Sequence, residues 1–246
     1  MLASDPAHRP SEGLGADPGR VAQCFRERVV PCGTEPVNHL EAAVEAKLAA
    51  VRSLEFAPDA SFAADFARVI ASVVATRPHR PSLVAETAPG AVREILRAAR
   101  TSRLGPADLP AVADRLGGAP AEVRLDLAAE LVHAAAPDRL ALLARWVWNP
   151  VRRTGILSEF GGEPPESYAG TQLRLGEVRL ELSALGFPSS TFAAVDVLCA
   201  LTYAGRIDRA VDASFQGGGI ERLLPGPFPL ATMLLGVRRR LSNADR

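Results

Sequence analysis

The chain has 246 residues with 28 basic and 28 acidic side chains, so its net charge is zero. This argues against nucleic acid or an anionic membrane as a partner, because both require a clustered basic surface. Its longest apolar stretches fall short of the roughly 20 residues that cross a bilayer, and we expect no secretory signal. Three cysteines, an odd number, indicate free thiols in a reducing compartment, and we expect a cytoplasmic protein.

Helix-breaking residues crowd the beginning of the chain. Residues 1–33 contain four prolines and four glycines. This density predicts a disordered N-terminal tail over 1–33 that is dispensable for folding. We expect order to begin at Thr34, which can cap a helix.

Three amphipathic helices are predicted from apolar residues that recur at three- and four-residue steps. The first face consists of Val37, Leu40, Val44, Leu48, Val51 and Leu54. The second consists of Phe62, Phe66, Val69, Ile70 and Val73. The third consists of Val92, Ile95, Leu96 and Ala99, after a proline-rich interruption.

The middle of the chain is punctuated by proline and glycine, which predicts short helices at about 107–116, 120–135 and 138–148. We therefore expect a region of short antiparallel helices over 34–149. A C-terminal helical region over 150–246 is expected to surround a buried central helix, and the two regions together form one continuous globular unit. The predicted fold class is all-α, an irregular multi-helix bundle, with a solenoid-like middle as a variant.

Residues 171–182 fit two kinds of secondary structure. Alternation of Leu173 and Leu175 with Val178, Leu180 and Leu182 around Gly176 is typical of a hairpin. The spacing of Leu175, Val178, Leu182 and Leu185 also fits a helix, which the residue propensities favour. We predict a helix here and keep the hairpin as the alternative.

The C-terminal part is predicted to contain a helix over 191–204 that is apolar nearly all round and ends at Gly205. A shorter helix is expected over 206–215. A final helix is expected over 230–241, with its arginines at the negative end of the helix dipole.

Asp196 interrupts the apolar helix 191–204, and a lone buried carboxylate is costly. We expect an ion pair with an arginine, and the candidates are Arg145, Arg206, Arg209 and Arg222. A carboxylate that lines a pocket is the alternative. His133, near the end of the helix 120–135, is expected to favour the C-terminus of that helix as a charged imidazole, with catalysis as the alternative.

The first functional hypothesis is a cytoplasmic interaction or regulatory subunit that binds a protein partner through Trp146, Trp148, Arg152 and Arg153. Tryptophan and arginine together are typical of binding surfaces, although one of the two indoles is expected to anchor the core because the two point about 200° apart round a helix. A homo-oligomer is also compatible with this hypothesis. The sequence does not decide whether the chain is an enzyme.

The alternative hypothesis is an enzyme or binding protein for a small anionic compound, with its pocket in the C-terminal third. Arg206 and Arg222 would hold the anion. The candidate catalytic carboxylates are Asp196, Asp208, Asp212 and Glu221. No cofactor is predicted and no metal site is predicted, because Cys24, Cys32 and His39 lack the close cysteine pair of a zinc site.

Overall fold

The structure is a computed structural model, and it describes residues 15–215 and 226–237. Within these ranges the fold is all-α, with ten α-helices and no β-strand. The helices are α1 (Pro18–Cys24), α2 (Thr34–Ser53), α3 (Asp59–Ser72), α4 (Arg80–Glu86), α5 (Pro89–Arg100), α6 (Leu109–Asp114), α7 (Ala121–Ala135), α8 (Tyr168–Ala184), α9 (Ala193–Phe215) and α10 (Pro227–Leu235). Short 3-10 segments cover Val30–Cys32, Val74–His79, Pro106–Asp108 and Ile156–Phe160, and a π-helical turn covers Phe25–Val29.

The predicted tail is wrong for residues 15–33, and residues 1–14 lie outside the described residues. Asp17 caps α1 by accepting from the backbone N–H of Gly19 at 2.8 Å. Val21 is fully buried, and Phe25 packs against Phe187 with 5.8 Å between ring centroids. Proline is tolerated in the first turn of a helix, so Pro18 begins this element rather than breaking it.

Deleting residues 1–33 should therefore destabilise the protein, whereas the loss of a disordered tail would leave its stability unchanged. Two buried valines, Val21 and Val29, leave the core, which costs on the order of 3 kcal/mol or more. The measurement is urea unfolding of the truncated chain against a reference truncation that removes only residues 1–14. Equal unfolding midpoints in the two truncations would contradict the packing of α1.

The helices predicted from amphipathic spacing are confirmed, and their apolar faces are buried. All six residues of the first face lie at 4 % exposure or less, as do the four of the third. The region 171–182 is helical and belongs to α8, so the hairpin is excluded. Leu175, Val178 and Leu182 face the core, whereas Leu185 is 37 % exposed.

Two predictions about the middle of the chain are wrong. Residues 138–148 do not form a helix but an irregular segment, most of it buried. The proline-rich interruption after α3 contains the helix α4, because Pro81 lies in its first turn, where a missing N–H costs nothing.

The boundaries of the last helices also differ from prediction. Gly205 does not end a helix, and α9 continues through it. Its lack of a side chain serves packing, because a Cβ there would lie 2.9 Å from Cδ of Arg28. The helix α10 ends at Leu235 because Gly236 adopts φ +68° and lies against the Ser72 carbonyl. Arg238, Arg239 and Arg240 lie outside the described residues.

The core surrounds two helices that are buried on nearly all sides. From Asp126 to its end α7 is buried, and α9 is buried through most of its first three turns. The irregular segment 138–148 lies beside them and adds Leu140, Leu142 and Leu143 to the same apolar cluster. None of the helices within the described ranges is long and apolar enough to span a membrane.

Candidate functional site

Four ionisable side chains lie inside the core and form two pairs. Lys47, the only lysine of the chain, donates to Glu130 Oε1 at 2.7 Å and to the Leu235 carbonyl at 2.8 Å. His133 Nε2 lies 2.9 Å from Asp196 Oδ2. The four side chains are 9 % exposed or less, and they join α2, α7, α9 and the end of α10.

His133 is held between two acceptors. Its Nδ1 lies 2.5 Å from the Leu140 carbonyl oxygen, while its Nε2 faces Asp196. Burial alone would lower the pKa of His133. The Asp196 carboxylate and the Leu140 carbonyl outweigh burial, so the pKa of His133 is raised above its ordinary value. With an acceptor at each ring nitrogen, the geometry fits an imidazolium that donates twice.

Three side chains, of which His133 belongs to this cluster, pair with backbone groups of the irregular segment 138–148. Buried backbone groups outside regular structure need partners. His133 serves the Leu140 carbonyl, Gln172 Oε1 accepts from the Ala141 N–H at 2.8 Å, and Asp126 Oδ1 accepts from the Arg145 N–H at 3.0 Å. The four side chains of the cluster are thus buried, and His133 also anchors this segment.

The prediction that Asp196 forms an ion pair with an arginine is wrong, because Asp196 pairs with a histidine. Arg145 instead binds Asp126 through Nε and Nη2 at 3.1 and 2.8 Å. Arg206 is exposed and donates weakly to the Gly155 carbonyl at 3.4 Å, and Arg209 is exposed. His133 lies in the last turn of α7, as expected, but its direct contact with Asp196 was not predicted.

The structure describes three of the six side chains of the anion hypothesis, Asp196, Arg206 and Asp208. Asp196 points into the core and Arg206 lies exposed about 15 Å farther along α9, so the two do not converge. Asp208 is half-buried. The side chain of Asp212, and Glu221 and Arg222, lie outside what the structure describes.

Metal ligands and reactive thiols are the next candidates. Within residues 15–215 and 226–237, no group of three or more His, Cys, Asp or Glu side chains could hold a metal ion. Burial raises the pKa of Cys199 well above its ordinary value and raises that of Cys24 to about 11. A thiol with a raised pKa is a poor nucleophile. Burial raises the pKa of Cys32 as well, so none of the three thiols has the lowered pKa of an activated nucleophile.

The predicted tryptophan and arginine surface is only partly a surface. Trp148 is 1 % exposed, and its Nε1 donates to the Pro165 carbonyl at 2.8 Å, so its assignment to partner binding is wrong. Trp146 is half-buried against Tyr203, with 5.9 Å between ring centroids. The side chains of Arg152 and Arg153 are 66 % and 56 % exposed, in keeping with a surface position.

Arg152 and Arg153 belong to an ordered loop, 149–154. Asn149 closes it by exchanging backbone hydrogen bonds with Thr154, and its Oδ1 accepts from the N–H groups of Val151 and Arg152 at 3.1 and 3.0 Å. These bonds present Val151 to solvent at 89 % exposure. The loop is thus a fixed projection rather than a loose connection.

A groove of about 640 Å³ lies between this loop and α8, and we call it the α8 groove. Its lining includes Arg153, Glu163, Glu166, Leu173, Arg174 and Glu177. Arg174 is nearly buried and donates to the carbonyls of Gly161 and Glu163. The exposed charges around the groove are therefore mainly carboxylates, with Arg153 at 3.9 Å from Glu166.

Sequence reasoning missed the outer face of α8. Leu173 and Leu180 are 72 % and 71 % exposed, although the helix already has a buried apolar face. The signal was present in the sequence, because the apparent strand alternation over 171–182 arises from two apolar stripes on one helix. Leu173 and Leu180 remain after the core face is assigned, and they belong to a second apolar stripe of the same helix.

The structure defines an all-α multi-helix protein. No protein-family model, curated protein or solved structure matches the chain. Function therefore has to be argued from the surfaces and clusters just described.

Proposed function

We propose that this chain is an interaction protein, a regulatory or assembly subunit, that binds a helix of a protein partner along the outer face of α8. The observation that carries the proposal is an exposed apolar seam on that face. The seam consists of Ala169, Leu173, Gly176, Leu180 and Ala184, at steps of four, three, four and four residues. This spacing places all five within a narrow stripe of one helix, as in helix pairs.

The shape of the seam suits a helix as its occupant. Gly176 lies between the two exposed leucines, and a Cβ built on it would meet no atom within 4 Å. No side chain therefore covers the helix backbone at the centre of the seam. A partner backbone can approach closely there, while Leu173 and Leu180 pack on either side of it. An apolar stripe that receives an amphipathic helix is a recurrent mode of recognition.

The charges beside the seam favour a partner with basic flanking residues. Glu177 and Glu181 follow one side of the seam, and Glu166 lies exposed beyond its N-terminal end. On the opposite side Arg179 turns away and donates to the carbonyls of Asp138 and Ser190. If two copies of α8 paired along their seams, Glu177 and Glu181 of both copies would lie at the edge of the interface. Repulsion between these carboxylates disfavours self-pairing.

The loop 149–154 extends the same surface across the α8 groove. Arg153 and Leu173 line the groove from opposite elements, so a partner on α8 can also reach the loop. A cytoplasmic location is part of this proposal, and the unpaired state of Cys24, Cys32 and Cys199 supports it.

Charging the seam should abolish partner binding without unfolding the protein. The test compares tagged wild type with the double variant Leu173→Glu/Leu180→Glu in capture from the native host. Both positions are exposed, so the expected stability change is small, within about 1 kcal/mol. Capture of the partner should fall about tenfold or more, because the loss of two apolar anchors at an interface costs at least that much.

The matched control is Val30→Glu/Val74→Glu, which places the same charges on other exposed apolar positions, 57 % and 40 % exposed. This control should keep the partner, and sedimentation velocity of the wild type alone should show a monomer. A partner retained by the α8 variant contradicts the proposal. So does a wild-type dimer that the α8 variant converts to monomer, since the occupant of the seam would then be a second copy.

A further inference from the structure

A second groove lies where α2, α5 and α7 end. It has a volume of about 280 Å³, and we call it the arginine groove. Leu96 and Ala135 form an apolar floor, with Arg52, Phe56 and Arg100 around it. Along α7 it lies about 20 Å from Glu122, which contacts the loop 149–154 through Arg152. The arginine groove is therefore separate from the α8 groove, and the inference below does not rest on the proposed function.

Two guanidinium groups, those of Arg97 and Arg100, meet a single carboxylate at this groove. Glu55 is nearly buried and accepts from Arg100 Nε and Nη2 at 3.1 and 2.7 Å, while Arg97 Nε lies 3.7 Å away. Hydrogen bonds from Arg100 hold the pKa of Glu55 below its usual range, so this carboxylate is charged at neutral pH. Arg52 also lines the groove, and Arg139 donates to the Ala99 and Arg100 carbonyls at the end of α5.

The helix ends account for part of this arginine cluster. Arg52 Nη1 donates to the Ala134 carbonyl at 3.4 Å, and Arg139 Nη2 donates to the Ala99 carbonyl at 2.9 Å. Cations are favourable at the negative end of a helix. Arg97 and Arg100 nevertheless remain 56 % and 49 % exposed, which leaves a positive rim turned to solvent.

Phe56 gives the groove an exposed aromatic edge. It is 75 % exposed, and the turn after α2 fixes its backbone through a hydrogen bond from its N–H to the Ser53 carbonyl at 3.1 Å. A large apolar side chain held in solvent beside arginines is the usual composition of a binding hot spot. Packing within the chain does not explain this exposure.

We infer that the arginine groove binds a short acidic segment of a protein partner, in which an apolar side chain lies between carboxylates. The apolar side chain would pack on Leu96 and Phe56, and the flanking carboxylates would pair with Arg52 and Arg97. The volume accommodates one or two side chains rather than a folded surface. The zero net charge of the chain and the apolar floor favour such a peptide over a nucleic acid, which needs an extended basic track.

The test measures fluorescence anisotropy of a fluorescein-labelled hexapeptide, Glu-Asp-Phe-Leu-Asp-Glu with blocked ends, titrated with the full chain. We expect saturable binding that weakens with salt. Arg97→Gln and Phe56→Ser should each weaken it about tenfold, since one removes a charged partner and the other the aromatic edge. The matched control Arg68→Gln, an arginine 79 % exposed on α3, should leave the affinity unchanged.

Two further probes distinguish recognition of charge from nonspecific apolar binding, and a peptide ligand from a nucleic acid. The neutral peptide Gln-Asn-Phe-Leu-Asn-Gln should bind at least tenfold more weakly than the acidic one. Equal binding of the two peptides, or equal binding by wild type and Arg97→Gln, would overturn the inference. It would also be overturned if an eight-residue oligothymidine bound in a Phe56-dependent manner while the acidic peptide did not bind.

Discussion

Replacing His133 with alanine is expected to lower the free energy of unfolding by about 3 to 5 kcal/mol. The change leaves the Asp196 carboxylate in the core without its cation, and a stranded buried charge is strongly destabilising. It also removes the donor to the Leu140 carbonyl. Urea unfolding of wild type and variant measures the loss as a shift of the midpoint at unchanged slope.

The pH dependence of this loss distinguishes an ion pair from simple packing. Since the folded-state pKa of His133 is raised, its charged form contributes stability that is fully present below the unfolded pKa of about 6.5. That contribution is lost as the pH rises through the folded-state pKa. The difference between wild type and His133→Ala should therefore shrink from acidic to alkaline pH, and a difference independent of pH would contradict the ion pair.

Replacing Trp148 with alanine should cost about 3 to 5 kcal/mol, because the indole is among the largest fully buried side chains and its loss leaves a cavity. The hydrogen bond from its Nε1 to Pro165 is lost as well. The matched control is Trp146→Ala. Because Trp146 is only half-buried, this change should lower the free energy of unfolding by less. Chemical denaturation measures both variants, and equal losses would contradict the different placement of the two rings.

The helices that the sequence predicted well are those with one apolar and one polar face. In α2 and α5 the spacing of apolar residues follows from burial of one side, so local pattern and final structure agree. The irregular segment 138–148 does not have one buried and one exposed face. It is mostly apolar and contains helix-forming residues, and its irregular form depends on hydrogen bonds that its backbone donates to Gln172 and Asp126, which no local pattern reveals.

The partner of Asp196 illustrates the same limit. Burial of this carboxylate could be predicted from its neighbours in α9, and so could the need for a compensating charge. The choice of His133, 63 residues earlier, depends on how α7 and α9 cross. Both helices are buried on nearly all sides where they carry these residues, so neither pattern specifies which faces meet.

The proposed function requires that a protein partner binds on the outer face of α8. Site-specific photocrosslinking tests this binding directly. A photoreactive phenylalanine analogue is placed at Leu173 in one protein and at Val30 in another, each expressed in the native host and irradiated. The account predicts a covalent adduct with a different protein from position 173 and none from position 30. No adduct from position 173, the same adducts from both positions, or crosslinking only to a second copy of the chain would contradict it.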